Sequence, residues 1–366
     1  MTDRGLSTGT PAGASTGDDA ARVREGLGLF AMGDRGLIEV RGSDRIRWLD
    51  GMVTADVKAL EKRGEGAGCL ALLLTHRGAI VADLRVGRLG DTLLLECPKG
   101  EISRIRAVLE KMIIADDVVL GDRSEGFAVL GIEGARSGEV LARALGGGAL
   151  PGAGGWAELS FEGSPILVAA FGWSGEQAYQ LRVLPARVGA VREAIERAAD
   201  SLGVACVAGD RALLEVLRVE AGIPALGAEL DEDVLPPEAR LERAIAVNKG
   251  CYVGQEIVAR LRSRGQVNHL LVGLRLDAGA LPEVGTALAV AGRSTGEITS
   301  VALSPSQGAI ALGYVRREHA EVGTRVDLPG GAARVAALPF VSPRSDCVES
   351  PGAPSTSTSG SAPTAP

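Results

Sequence analysis

One thiol of this chain stands in surroundings that favour reactivity. The run Lys249-Gly250-Cys251-Tyr252-Val253-Gly254-Gln255-Glu256 sets Cys251 between two glycines and beside a lysine, just ahead of a short amphipathic helix carrying Ile257, Val258 and Leu261. A thiol acts as nucleophile or metal ligand only as thiolate, and an ammonium or the positive end of a helix lowers its pKa. Lys249 and the backbone amides around Gln255 supply both, and the glycines permit a tight turn that faces a groove. Glu256 falls in the presumed first helical turn, where a carboxylate serves capping more readily than catalysis. Arg260, Arg262 and Arg264 follow as a basic cluster, either a solvated helix face or a site for a carboxylate-bearing ligand.

The remaining chemistry-bearing residues are dispersed. Cysteines fall at 69, 97, 206, 251 and 347 with no paired spacing, so neither a zinc site nor a disulfide framework follows. His76, His269 and His319 lack metal spacing and take no role. The glycine-rich Gly131-Ile132-Glu133-Gly134 fails as a nucleotide-binding signature because spacing and the phosphate-loop lysine are missing.

The elements that must position these residues read as mixed. Strands are expected near 37–40, 69–75, 80–86, 92–97, 127–132, 166–170 and 179–184, with helices over 101–113, 137–145, 186–202 and 210–221. From Val267 onward short strands separated by glycine turns argue a small barrel. Residues 1–26 and 342–366 are Ser, Thr, Gly, Ala and Pro-rich and read as disordered tails. A chain of 366 residues exceeds what one core usually serves, so two or three domains are expected, with α+β layers over 27–265 and a barrel over 266–341.

Composition excludes several function classes. Aromatics make up 3% of the chain, the formal charge is -7 and the pI is near 5.3, all unlike a protein that binds phosphate backbones. Direct nucleic-acid binding is not expected. No apolar run suits a signal sequence or a membrane span, and free thiols suit a reducing compartment, so a cytoplasmic location is expected.

The cysteine string resembles the signature of the YgfZ family, folate-binding proteins related to the glycine cleavage T-protein (aminomethyltransferase) and associated with iron-sulfur cluster assembly. The resemblance extends through Arg218-Val219-Glu220-Ala221-Gly222-Ile223-Pro224 and Leu235-Pro236-Pro237-Glu238. It continues in Gly296-Glu297-Ile298-Thr299-Ser300, Ser304-Pro305, Leu312-Gly313-Tyr314-Val315 and Leu338-Pro339-Phe340, covering about Leu37 to Phe340. It implies a three-lobed T-protein-like fold, with two interleaved lobes, a C-terminal barrel and a central channel.

What the resemblance implies for function is a tetrahydrofolate derivative in that channel, with Cys251 and Lys249 as the working pair. Lys249 would hold the thiolate or the glutamate tail of folate. Glu220 would meet the pterin, the alternative being a salt bridge to Arg218. Asp83, Tyr252, Gln255 and Arg260 complete the expected cofactor contacts. Ala82 stands where aminomethyltransferases carry the first of two adjacent aspartates, which argues against aminomethyl transfer.

Redox exchange, transient ligation of a cluster and attack on an electrophilic carbon are all open to Cys251. One thiol cannot hold a cluster, which normally takes four thiolates, so a partner would complete the set and no stable cluster is expected in the isolated chain. The leading expectation is support of iron-sulfur cluster assembly or repair in client enzymes, with an indirect effect on tRNA modification. Its partners would be cluster assembly proteins and those clients. The rivals are a folate-dependent aminomethyltransferase and a folate-binding scaffold with an inert thiol.

Overall fold

The computed structural model describes residues 16–277 and 281–344. It opens on a helix, α1 (Thr16–Glu25), and a strand, β1 (Leu27–Ala31). The expectation of a disordered tail over 1–26 is therefore corrected from Thr16 onward. Ala20 and Val23, three apart, turn one helical face into the core, while Asp18 and Asp19 lie at the positive helix end. Residues 1–15 lie outside the described residues.

A first lobe follows. Strands β2 (Arg35–Arg41), β3 (Gly68–Leu74), β4 (Ile80–Leu89), β5 (Thr92–Pro98) and β6 (Val119–Asp122) form a sheet in the order β3-β4-β5-β2-β6. Helices α2 (Arg45–Met52), α3 (Lys58–Arg63) and α4 (Ile102–Glu110) cover one face, where Leu49, Leu60, Leu73, Ala82, Leu84 and Ile105 share a core.

The chain then returns to β1. Strand β7 (Ala128–Glu133) pairs antiparallel with it, so the whole first sheet is looped out between two neighbouring strands of the second. With β8 (Trp156–Phe161), β9 (Ser164–Ala169), β10 (Ala178–Val183) and β11 (Cys206–Gly209), the second sheet runs β11-β1-β7-β10-β9-β8. Helices α5 (Ser137–Ala144) and α6 (Val188–Ser201) pack on its outer face against Ile132, Tyr179 and Leu181.

The uncovered faces of the two sheets meet. Leu37, Leu94, Trp156 and Ala169 form the seam, and a Cβ on Gly87 would fall 2.5 Å from the Trp156 ring, so only glycine admits this approach. Beyond the sheets lie α7 (Arg211–Ala221), α8 (Gln255–Arg264) and a closed barrel. The barrel comprises β12 (His269–Leu276), β13 (Ala287–Val290), β14 (Arg293–Ser304), β15 (Gly308–Arg316), β16 (Arg325–Leu328) and β17 (Gly331–Ala336), ordered β12-β15-β14-β13-β16-β17. Closure leaves no free strand edge. Leu213 and Leu217 of α7 share a core with Val23 of α1 and with Leu271, Leu312 and Phe340 of the barrel lobe.

The last described residues are also placed, which corrects the disordered-tail expectation at its start. The Arg344 backbone N–H donates to Glu176 at 2.8 Å, and its guanidinium to Glu25 at 3.1 Å. Residues 345–366 lie outside the described residues. Among the described residues no helix is long and apolar enough to cross a membrane.

Candidate functional site

A cavity of about 180 Å³ opens between the lobes, lined by Cys69 and Arg85 of the first sheet, by Phe171, Glu176 and Tyr179 of the second lobe, and by Arg243. Whole drug-sized ligands need roughly 300–1,000 Å³, so this volume suits one ring system with the rest of a ligand reaching outward. The Arg85 guanidinium lies 5.6 Å from the Phe171 ring, giving a cationic and aromatic wall.

Two polar side chains lie one pleat deeper. In β4, Ala82 and Leu84 face the helix-covered core, whereas Asp83 and Arg85 face the other lobe, as alternation requires. Asp83 is 7% exposed, and no hydrogen bond or ion pair engages its carboxylate among the described residues. In β10, Ala178 lines the cavity, and Gln180 and Arg182 follow on the same face. Gln180 is 0% exposed, and among the described residues both its amide oxygen and its amide nitrogen lack a partner.

Around them the seam is charged. Arg35 pairs with the buried Glu96 and lies 5.1 Å from the Trp173 ring. Burial works against the Arg35 charge, but Glu96 beside it raises the pKa above the usual guanidinium value. Burial lowers the pKa of Arg182, whose Nη2 donates to the Gly36 carbonyl at 3.3 Å and whose Nη1 is unpartnered. The second oxygen of Glu96 is unpartnered too. Buried polar groups are rarely left unpaired, because each one costs a desolvation penalty. Gln180 has no accessible surface and does not line the cavity, so its unpaired amide belongs to the polar seam beneath the cavity floor.

The loop that forms the cavity rim is fastened from below. Glu133 accepts from the backbone N–H groups of Trp173 at 3.0 Å and Ser174 at 3.0 Å, and from the Ser174 hydroxyl at 2.7 Å. Burial pushes the Glu133 carboxyl up to about 7, against the lowering by Ser174, Trp173 and Arg24. Arg24 of α1 donates to Glu176 at 3.1 Å and to Glu220 at 2.8 Å.

The residues expected from the sequence divide between this cavity and the surface. Glu220 is not presented to a pterin. It is 2% exposed, with one carboxylate oxygen accepting from Arg24 and the other from Ser304 at 2.5 Å, and its partner is Arg24 rather than Arg218. Lys249 is also corrected: its ammonium is turned inward, donating to the carbonyls of Asp50 at 2.6 Å, Val53 at 2.8 Å and Ala55 at 2.6 Å. With three donors committed, it has none for a thiolate or a folate tail. Burial lowers its pKa, opposed by Asp50.

Cys251 is exposed, in an irregular segment four residues ahead of α8, and is not among the residues lining the cavity. Gln255 closes the turn by accepting the Tyr252 N–H at 3.1 Å, and it does not line the cavity. Tyr252 is half-buried, its ring 5.3 Å from the Lys249 ammonium, and burial raises its pKa. Arg260 lies on the exposed side of α8. Neither Tyr252 nor Arg260 lines the cavity. Gly254, at φ 81°, tucks this segment against the β3–β4 turn, where a Cβ would fall 2.6 Å from the Thr75 carbonyl. Among the described residues no group of three or more His, Cys, Asp or Glu side chains could hold a metal ion.

Comparison with known proteins accords with this architecture. Residues 9–249 match the GCVT N-terminal domain and residues 270–343 the glycine cleavage T-protein C-terminal barrel domain. An aminomethyltransferase of Rubrobacter xylanophilus is 32% identical over 336 residues, covering 90% of this chain and 86% of the relative. One from Streptomyces avermitilis is 31% identical, covering 88% of each. A putative chloroplastic transferase of Arabidopsis thaliana is 28% identical, covering 80% of this chain and 66% of its own. The crystal structure of the glycine cleavage system aminomethyltransferase T from Bartonella henselae superposes with a TM-score of 0.78 at 24% identity, covering 90% of each chain. Looped-out sheet, closed barrel and matched profiles together make this chain a member of the glycine cleavage T-protein family.

Proposed function

We propose that the chain binds a tetrahydrofolate derivative between its first two lobes and serves one-carbon transfer of the aminomethyltransferase type. The observation that carries this reading is the cavity between the lobes, walled by Phe171 and by Arg85, whose guanidinium lies 5.6 Å from that ring. Tetrahydrofolate, when bound, supplies the nitrogen atoms that accept a one-carbon unit. Phe171 and Arg85 wall the rings, and Asp83, one pleat below the cavity, holds or takes up a proton at its carboxylate. Ala82 does not weaken this reading, because a carboxylate at that position would point into the helix-covered core. Relatives named aminomethyltransferase support it. Titration calorimetry with tetrahydrofolate is the test: Phe171→Ala should weaken binding at least about tenfold, as loss of the aromatic wall implies. Unaltered affinity in that variant would remove Phe171, and with it the site.

A second reading keeps the exposed Cys251 in view. A thiol at the surface, outside the cavity, is accessible to another protein, and one thiolate needs partner ligands to hold a cluster. On this reading the folate-binding chain supports iron-sulfur cluster assembly or repair in cytoplasmic client enzymes, as its YgfZ-like string suggests. Cys251→Ala should then leave folate binding intact and fail to restore cluster-enzyme activity in cells lacking the protein. Full restoration by that variant would exclude the cysteine.

A further inference from the structure

Lys249 ends in a cage of main-chain carbonyls. Three carbonyl oxygens, those of Asp50 and Val53 at the end of α2 and of Ala55 just beyond, converge on one point at 2.6, 2.8 and 2.6 Å from Nζ. The Asp50 carboxylate adds an oxygen at 3.3 Å and the Tyr252 ring lies 5.3 Å away. The side chain is 2% exposed. Converging backbone carbonyls with one carboxylate are a ligand set for a hard cation, and all three carbonyls come from one short stretch of chain, residues 50–55.

We infer that Lys249 fills a monovalent-cation site with a tethered ammonium, and that the site takes up potassium or ammonium ion when the side chain is cut back. A single positive charge fits, because among the described residues Asp50 is the one carboxylate bonded to Nζ and it also pairs with Lys58 at 3.1 Å. The tether explains why the cation is built in. The Ala246 N–H donates to the Thr54 carbonyl at 3.0 Å and the Val253 N–H to the Gly51 carbonyl at 3.2 Å, so the segment carrying Cys251 lies along the α2 turn at both ends. Lys249 pins its middle, whatever salt surrounds the protein. Neither the cavity nor its ligand enters this inference.

The test is thermal unfolding of the full chain in choline, potassium and ammonium chlorides at equal ionic strength. Lys249→Ala should melt about 3 °C or more higher in potassium or ammonium than in choline, as expected of an ion bound only by the folded state. The unsubstituted chain and Lys249→Met, whose thioether fills the cage, should not respond. Crystals of Lys249→Ala soaked in rubidium should show an anomalous peak among the three carbonyls. Equal melting of Lys249→Ala in choline and potassium, failure to fold in all three salts, or the same potassium response in Lys249→Met overturns the inference.

Discussion

Ala82 and Asp83 are neighbours in sequence and opposites in space, and that single fact reverses a functional argument. A missing carboxylate at Ala82 looks like a lost acid only while both positions are imagined to face the ligand. Strand alternation sends Ala82 into the core under α2 and α4 and leaves Asp83, 7% exposed and unpaired, toward the second lobe. Asp83→Asn keeps the volume and the hydrogen-bonding capacity but cannot take a proton. Tetrahydrofolate affinity should therefore stay within about twofold while single-turnover one-carbon transfer slows roughly 10²- to 10⁴-fold, the range of a lost general acid or base. An unchanged rate would leave Asp83 as a strand residue only. The chemistry at Lys249 misled for a related reason. Sequence shows a lysine next to a cysteine, but only the path of the backbone shows that the ammonium turns inward to three carbonyls.

Among the elements, the helices and strands with strong periodicity are legible, and their surroundings are not. Strand β10 alternates Tyr179, Leu181 and Val183 with Gln180 and Arg182, a pattern that normally marks one wet face. Here all six residues are buried, because the polar face is pressed against the first lobe. The available signal was the pair Phe171 and Trp173 in a glycine-rich loop of a chain with 3% aromatics. That loop rests on Glu133, and its pH response can be worked out. Burial raises the Glu133 pKa to about 7 from 4.5, so the folded state binds this proton more tightly than the unfolded chain. Its contribution to stability is complete below the unfolded value and is lost as pH climbs through the folded one, by on the order of 3 kcal/mol in all. Across pH 4.5 to 7.5, urea unfolding of Glu133→Gln should gain on the unsubstituted chain by up to about that amount. A difference that stays flat over the window would show that the carboxylate is held at its ordinary pKa.

At the scale of the molecule, the barrel announces itself through short strands and glycine turns, whereas the lobes depend on β1 finding β7 across the whole first sheet, a pairing no local pattern encodes. Helix α7 then joins the parts. Glu220 reaches α1 and, through Ser304, the barrel, while Arg218 donates to Glu229 at 2.9 Å and to Ser300 of β14 at 2.6 Å. Glu229 in turn accepts from Thr299 at 2.8 Å and Ser300 at 2.5 Å. Burial opposes the Arg218 charge, but Glu229 and Glu215 together outweigh it and raise the Arg218 pKa. Arg218→Met leaves Glu229 buried without its counter-charge, a loss of about 3–5 kcal/mol, and should lower the melting temperature by roughly 5–10 °C. The barrel is fastened to the lobes through this network together with the apolar core around Leu213 and Leu217, so calorimetry of the variant should resolve a second transition where the unsubstituted chain shows one. Adding Glu229→Gln removes the orphaned charge and should recover at least half of the loss, since the penalty lies in the unpaired carboxylate rather than in the missing attraction. A double variant no more stable than Arg218→Met would locate the cost in packing around α7 and refute an electrostatic joint between barrel and lobes.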